Sequence, residues 1–507
     1  MDQPRTALLS PNGISLLFAV FVIMYFQNLT SLVLTADDDH AIFGIDSSVF
    51  IGQGRWRPYL TARYILPSPA IPYLPYAVFG LLASVAFALL AGLLGHRTAS
   101  WPVLTAFALF ITVPQWGFIT GFTILLLPLG LGLVCASGCA ALFRPVASKM
   151  LPMRMVTLAA AAGILLALIA SFYQPLVLAA MLMSSGVILW GYVSQQTTAK
   201  QALILHAVLL VSGLLSLAIN HAVLRIFTDV LGFGAINFYP DGMFHPSEAI
   251  QNWRKSLNAA ISTYWGVVWG AWGFYGTGMF AFGLATMAAT FASAVLAFSF
   301  GWSRGIVFTL WACLAWVSVL VPHFAAAGAP TTYRILMHLP ALVAVVSLIA
   351  LNTRIQPSRA VLLLVFVAAI FQGAVLLNRA ATSAQLVGTL DAYMAGALFE
   401  RIATVGSPGA DGLFAVQAYG SSPGRPVYPL HGNTYMTTSW FAFGRAEDLR
   451  SSVRMSQYMR ALGYPVTFAR VPKGVKAFSD QWPTMPSWPA EGAVISHEGF
   501  VLIKLSE

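Results

Sequence analysis

Apolar residues in this chain come in blocks about 20 residues long, the length at which one α-helix crosses a hydrocarbon core and satisfies its own backbone hydrogen bonds. The blocks lie near 13–34, 72–95, 101–114, 121–143, 154–172, 176–194, 202–224, 277–300, 305–322, 335–351 and 359–377, the third being short. The pattern predicts a polytopic α-helical membrane protein with about eleven transmembrane helices. It stops near Asn378, where charge density and turn residues rise. Beyond that point 380–404 reads as an amphipathic helix, Leu413 to Tyr419 as a strand and 445–462 as a helix. A closing hairpin at 492–505 ends in Phe500-Val501-Leu502-Ile503. Two units are expected: a membrane module at 1–378, with outer loops at 35–71 and 225–276, and a small α/β domain at 379–507.

Composition agrees with the blocks. Apolar residues make up 58% of the 507 and charged ones 9%, against roughly 45–50% and 25% in a soluble domain, so a soluble reading is excluded. A net charge of +10 raises the question of nucleic acid, but the basic residues are scattered and form no run. Arg5, Arg97, Arg144, Lys149, Arg154, Lys200, Arg304, Arg354 and Arg359 fall at alternate helix junctions, while 114–120 and 172–175 carry none. That is the positive-inside pattern, which puts the N-terminus in the cytoplasm. An odd number of helices then leaves the C-terminal domain outside. Leu34-Thr35-Ala36 vaguely resembles a signal-peptide cleavage site, yet the apolar stretch before it is too long for a signal core and is read as a retained helix. Cys135, Cys139 and Cys313 all fall in apolar blocks, which suggests buried thiols rather than a disulfide or zinc framework.

Charge placement also narrows the chemistry. Apart from Asp2, every Asp and Glu lies on the outer side of this topology, and none occurs between Asp46 and Asp229. Asp37, Asp38, Asp39 and Asp46 crowd the first outer loop. A carboxylate in mid-bilayer costs about 2.5–3.5 kcal/mol on insertion scales, so acids just past a helix end sit where ionisation is tolerated. Adjacent carboxylates raise one another's pKa, which favours a group that can accept a proton. The plainer reading is that the run only marks the end of the first helix. Arg55, Arg57 and Arg63 follow it, and an acid cluster beside arginines suits a substrate with an anionic phosphate and a hydroxyl to be deprotonated. Arg55, Tyr59 and Arg63 would share a face if their stretch is helical. Contact with lipid headgroups is the alternative for these arginines.

Other outer features are weaker. Arg334, just before the tenth block, is placed to meet a lipid phosphate or to snorkel to the interface. Trp253, Trp265, Trp269 and Trp272 suit a segment lying in the membrane interface, with Arg254 and Lys255 among them. His206 and His221 read as helix-end residues rather than members of a relay.

Asp37-Asp38, the triplet Gly54-Arg55-Trp56, Tyr173-Gln174 at the third outer turn, and Met485-Pro486-Ser487-Trp488-Pro489-Ala490-Glu491-Gly492 followed by Val501 to Leu505 occur in one order and spacing. Together with about eleven spans and an outer C-terminal domain, the chain resembles the GT-C superfamily of polyprenyl-phosphate-sugar-dependent glycosyltransferases. Within it, the chain is similar to the serotype-converting O-antigen glucosyltransferases (Gtr type) of phages and bacteria. The resemblance implies an outer-loop Asp as catalytic base and inversion at the anomeric carbon. It implies a polyprenyl-phosphate glucose donor, a surface polysaccharide or lipid-linked glycan as acceptor, and residence in the bacterial inner membrane with a periplasmic active site. Carried onto this sequence, Asp37 or Asp38 is the base, and Asp39, Arg55, Trp56, Arg63, Tyr173, Gln174 and Arg334 bind substrate. No cofactor is implied, and a divalent cation on the donor phosphate is left open.

Three other classes compete. A transporter or flippase would place ionisable residues inside the bilayer, and these blocks hold almost none. A polysaccharide ligase or polymerase would rely on basic residues in a large outer loop, whereas acids dominate the first outer loop here. A membrane scaffold is disfavoured chiefly by the acid cluster.

Overall fold

The computed structural model describes residues 9–31, 49–52, 54–65, 73–144, 152–232, 246–268, 280–325, 335–353, 356–421, 439–442, 450–468 and 480–506. Its apolar helices, in chain order, are α1 (Pro11–Met24), α2 (Tyr73–Leu93), α3 (Trp101–Ile111), α4 (Thr123–Leu142), α5 (Pro152–Phe172), α6 (Pro175–Val193), α7 (Ala199–Arg225), α8 (Phe280–Ser299), α9 (Trp302–Val317), α10 (His338–Ala350) and α11 (Gln356–Val405). Among the described residues, eight helices are long and apolar enough to cross a membrane, and α1, α3 and α10 are shorter apolar helices. The chain is thus a mostly helical polytopic membrane protein, and each apolar block of the sequence overlaps one of these helices.

Composition dictates their arrangement. α10 is apolar all round and every one of its residues is buried, as expected of a helix enclosed by others. It packs against α3, α6 and α8. Small residues let the backbones close in: a Cβ at Gly186 of α6 would stand 2.5 Å from Val345 of α10, and one at Gly80 of α2 would collide with the Phe21 ring of α1. Polar side chains bond between helices instead of to lipid. Ser293 of α8 donates to the Val346 carbonyl at 2.9 Å, and Tyr25 donates to the Ile111 carbonyl at 3.0 Å. Gln372 of α11 caps α8, its Oε1 accepting from the Ala281 and Phe282 N–H groups at 2.9 and 3.3 Å. Leu203, Leu210, Leu214 and Leu217 of α7 remain exposed and form a face that suits lipid.

Several expectations change in detail. His206 sits in the second turn of α7, where Ser185 of α6 bonds its Nε2 at 2.9 Å and Trp311 of α9 donates to the same hydroxyl at 2.8 Å. The Ala202 carbonyl meets its Nδ1 at 2.9 Å. Histidine here ties three helices together, while His221 is exposed. All three cysteines are free, but Cys313 is exposed rather than buried. The amphipathic segment Trp253–Thr263 presents Trp253, Ile261 and the nearby Trp265 outward; Trp269 and Trp272 lie outside the described residues.

α11 continues without a break past Asn378 to Val405, so the expected boundary falls inside one helix. Its far end joins a four-stranded sheet of order β2-β1-β4-β3, made of β1 (Phe414–Tyr419), β2 (Val466–Phe468), β3 (Val494–His497) and β4 (Phe500–Lys504). β1 runs parallel to β2 and β4, and β3 pairs antiparallel with β4. A further helix, α12 (Arg450–Ala461), packs on β1 and β2. Ala395, Leu398 and Ile402 of α11 share this core with Val416, Met459, Val466 and Ile503.

One buried carboxylate fastens α11 to the loop above it. Asp391 lies about 20 Å beyond the apolar stretch, at 1.5 Å per helical residue, and accepts from Ser439 Oγ at 2.5 Å and the Trp440 N–H at 2.7 Å. Trp440 stacks on Tyr458 of α12 with ring centroids 5.2 Å apart, and Tyr458 donates to the Gly388 carbonyl at 3.2 Å. Burial pushes the Asp391 carboxyl up to about 6, outweighing the two hydrogen bonds that favour its ionised form. The folded state therefore binds more protons than the unfolded chain between about pH 4 and 6, and the stabilisation from Asp391 protonation is lost as pH rises through that window, on the order of 2–3 kcal/mol in all. Amide hydrogen exchange of β1 and α12, corrected for intrinsic rates, should show protection falling from pH 4 to 6 and level above. Asp391→Asn, which does not ionise and can accept from the Trp440 N–H through its oxygen while its amide N–H donates to Ser439 Oγ, should remove that slope; a persisting slope would assign it to another group.

Candidate functional site

The residues that meet after α1 come from three stretches far apart in sequence. The first is the turn after the short helix Val49–Gly52. The Gly54 N–H bonds the Ile51 carbonyl and the Arg55 N–H the Phe50 carbonyl, each at 2.8 Å. This turn needs φ of +72° at Gly54, a value that costs glycine nothing and an L side chain roughly 1 kcal/mol or more. Pro58 then lies within the short helix Trp56–Leu60, which continues as a π-helical turn over Thr61–Ile65.

The second stretch is the corner between α5 and α6. Tyr173 there is buried, and Pro175 opens α6 at the position where a missing N–H is harmless. Arg55 reaches this corner: its Nε donates to Gln174 Oε1 at 3.1 Å, and its guanidinium lies over the Tyr173 ring, 4.9 Å from the centroid. Gly54 is part of the same contact, because a Cβ there would stand 3.1 Å from Gln174 Nε2 and 3.8 Å from Asn220 Nδ2.

The third stretch is the end of α7 and its π-helical continuation Ile226–Val230. Phe227 stacks on Trp56, with centroids 6.0 Å apart and planes at 21°. Asn220 and Phe227 are seven residues apart and so share a helical face, the one turned toward Gly54 and Trp56.

The sequence-derived residues thus divide. Arg55, Trp56, Tyr173 and Gln174 come together. Arg63 does not join them: it is exposed, with its guanidinium 5.8 Å from the Tyr64 ring centroid. Its side chain stays with Tyr59 and Tyr64 instead of reaching the Tyr173–Gln174 corner. Arg57 takes its place beside the site, 4.5 Å from the Trp56 ring and 5.6 Å from the Phe172 ring, and its Nε is buried without a hydrogen-bond partner. Asp37, Asp38, Asp39, Asp46 and Arg334 lie outside the described residues. Arg57 was noted in the sequence among the arginines after the acid run but not assigned to the site; Asn220 and Phe227 were missed, although a lone asparagine near the end of an apolar helix is a signal in its own right.

Chemically, the arrangement offers two guanidinium groups held by aromatic faces and carboxamides. Arginine in such a setting keeps its charge and offers planar donors to a phosphate or carboxylate. Neighbouring carboxamides and indole suit sugar hydroxyls. Among the described residues, no group of three or more His, Cys, Asp or Glu is arranged to hold a metal ion.

No curated protein and no solved structure matches the chain. The model of one family, Glucosyl transferase GtrII, matches residues 26–377, which include all three stretches of the site. With well over half its length matched, the chain belongs to the GtrII glucosyl transferase family.

Proposed function

We propose that this glycosyltransferase moves glucose from a polyprenyl-phosphate donor to a surface polysaccharide or lipid-linked glycan, with inversion at the anomeric carbon, on the outer face of the bacterial inner membrane. In this reading about eleven helices cross the bilayer, and the module at 1–378 carries the site. The unit at 379–507 lies in the periplasm. Asp37 or Asp38 takes the proton from the acceptor hydroxyl as its oxygen attacks the anomeric carbon, and the donor phosphate leaves toward Arg55 and Arg334. Asp39, Trp56, Tyr173 and Gln174 line the substrate.

The observation that carries the proposal is the meeting of Arg55 with Tyr173 and Gln174, through a 3.1 Å hydrogen bond and a 4.9 Å cation–π contact. It joins the turn that follows the acid-rich run in sequence to the corner of α5 and α6, so a cation is fixed close in sequence to the proposed base. A lipid-borne phosphate at the membrane surface is the donor form that reaches such a place without a soluble nucleotide-binding domain.

Sealed membrane vesicles test donor and side together. Right-side-out vesicles carrying labelled polyprenyl-phosphate glucose should glucosylate an added, impermeant polysaccharide; inverted vesicles should not, and neither should transfer from a nucleotide glucose alone. Transfer in inverted vesicles only would put the site in the cytoplasm, and direct use of the nucleotide sugar would remove the lipid donor.

A further inference from the structure

Besides Arg57 Nε, two polar atoms at this site are buried with no hydrogen-bond partner among the described residues: Asn220 Oδ1 and Trp56 Nε1. Unpaired polar groups beside apolar helices are costly, and each calls for something that completes it. The first is an acceptor and the second a donor. Asn220 and Gln174 approach the backbone of Gly54 through their amide nitrogens, Nδ2 and Nε2. Gln174 is fixed in orientation because its Oε1 accepts from Arg55, which turns its Nε2, a donor, toward Gly54.

An unpaired neutral acceptor and an unpaired neutral donor beside the stacked rings of Trp56 and Phe227 leave a gap in the bonding that suits hydroxyl groups rather than an anion. A phosphate oxygen would meet the lone pairs of Asn220 Oδ1 unfavourably and find its partners at Arg55 and Arg57. A sugar hydroxyl both donates and accepts, so it can satisfy the asparagine oxygen and take a donor at once. We infer that Asn220 is a specificity residue that, with Trp56, reads hydroxyls of the hexose being transferred. This rests on the proposed transfer reaction and assigns the sugar ring its place within it. A trapped water would also fill the gap, and the experiment separates the two.

The probe is a series of polyprenyl-phosphate glucose donors lacking the 2-, 3-, 4- or 6-hydroxyl, used with the full-length protein. One deoxy donor should lose about 10-fold or more in kcat/KM with the wild type, as expected when a site built to bond a hydroxyl meets its absence. Asn220→Leu should lower kcat/KM for the parent donor and bring parent and that deoxy donor within about twofold of each other, with the other ratios unchanged. Because each ratio is taken within one preparation, it does not depend on how much protein folds; Asn220→Ala serves if the leucine variant yields none. Wild-type ratios preserved for every deoxy donor would overturn the inference and leave Asn220 to a water or to packing. If the wild type uses only nucleotide glucose, the lipid-donor reading falls, and the same ratios on the deoxy nucleotide series still decide Asn220. No transfer from either series would overturn both.

Discussion

Asp37→Asn or Asp38→Asn should lower glucosyl transfer about 100- to 10,000-fold, the range a positioned general base supplies. A sugar hydroxyl is a poor nucleophile at neutral pH, so its proton must move as the carbon–oxygen bond forms. Asparagine preserves the shape of aspartate but cannot take that proton. The two variants should be made separately, purified from membranes and assayed with polyprenyl-phosphate glucose and a polysaccharide acceptor. Asp39→Asn and Asp46→Asn are neighbouring controls, with milder loss expected. The large loss should fall on kcat, because the base acts in the transition state, with little change in KM for the donor. Full turnover in both Asp37 and Asp38 variants, with normal folding, would remove the base assignment and leave the proton to another group.

Much of the fold is legible because a bilayer leaves a helix few choices. A block of apolar residues long enough to span must close its own hydrogen bonds, so position and type follow from the sequence. What lies outside lipid is less constrained. The apolar stretch ends near Asn378, but the helix does not end with it, because residues 380–404 remain helix-forming and α11 runs on. The parallel pairing of β1 with β2 and β4 joins segments far apart in the chain, a choice that local periodicity does not reveal.

The site is legible to the extent that it is written in short motifs. Gly54-Arg55-Trp56 stands out because one residue must adopt a left-handed turn, and Tyr173-Gln174 because proline fixes the corner behind it. Their contact across 119 positions belongs to tertiary packing. Arg63 keeps its place beside Tyr59, but sharing that face does not bring it to the corner that Arg55 reaches. Asn220 and Phe227 belong to no motif, and only their shared face brings them to Trp56.

Arg55→Ala should weaken donor use by about 1.5–3 kcal/mol, roughly 10- to 150-fold, if its guanidinium meets the donor phosphate through a charge-assisted hydrogen bond. The bond from Nε to Gln174 Oε1 at 3.1 Å and the Tyr173 face at 4.9 Å hold the guanidinium plane, so little entropy remains to be lost when a phosphate arrives. Lysine keeps the charge but neither the fork nor the Gln174 contact, and Arg55→Lys should recover only part of the loss. Because a phosphate contact acts on binding and departure alike, KM for the donor should rise and kcat fall, whereas KM for the acceptor should hold. Arg334→Ala, the second cation proposed for the phosphate, should follow the same pattern. Donor kinetics unchanged in both variants would make these arginines interfacial anchors. A loss shared equally by donor and acceptor would make Arg55 a structural pin for the α5–α6 corner, with the phosphate to be sought at Arg57, whose buried Nε has no hydrogen-bond partner.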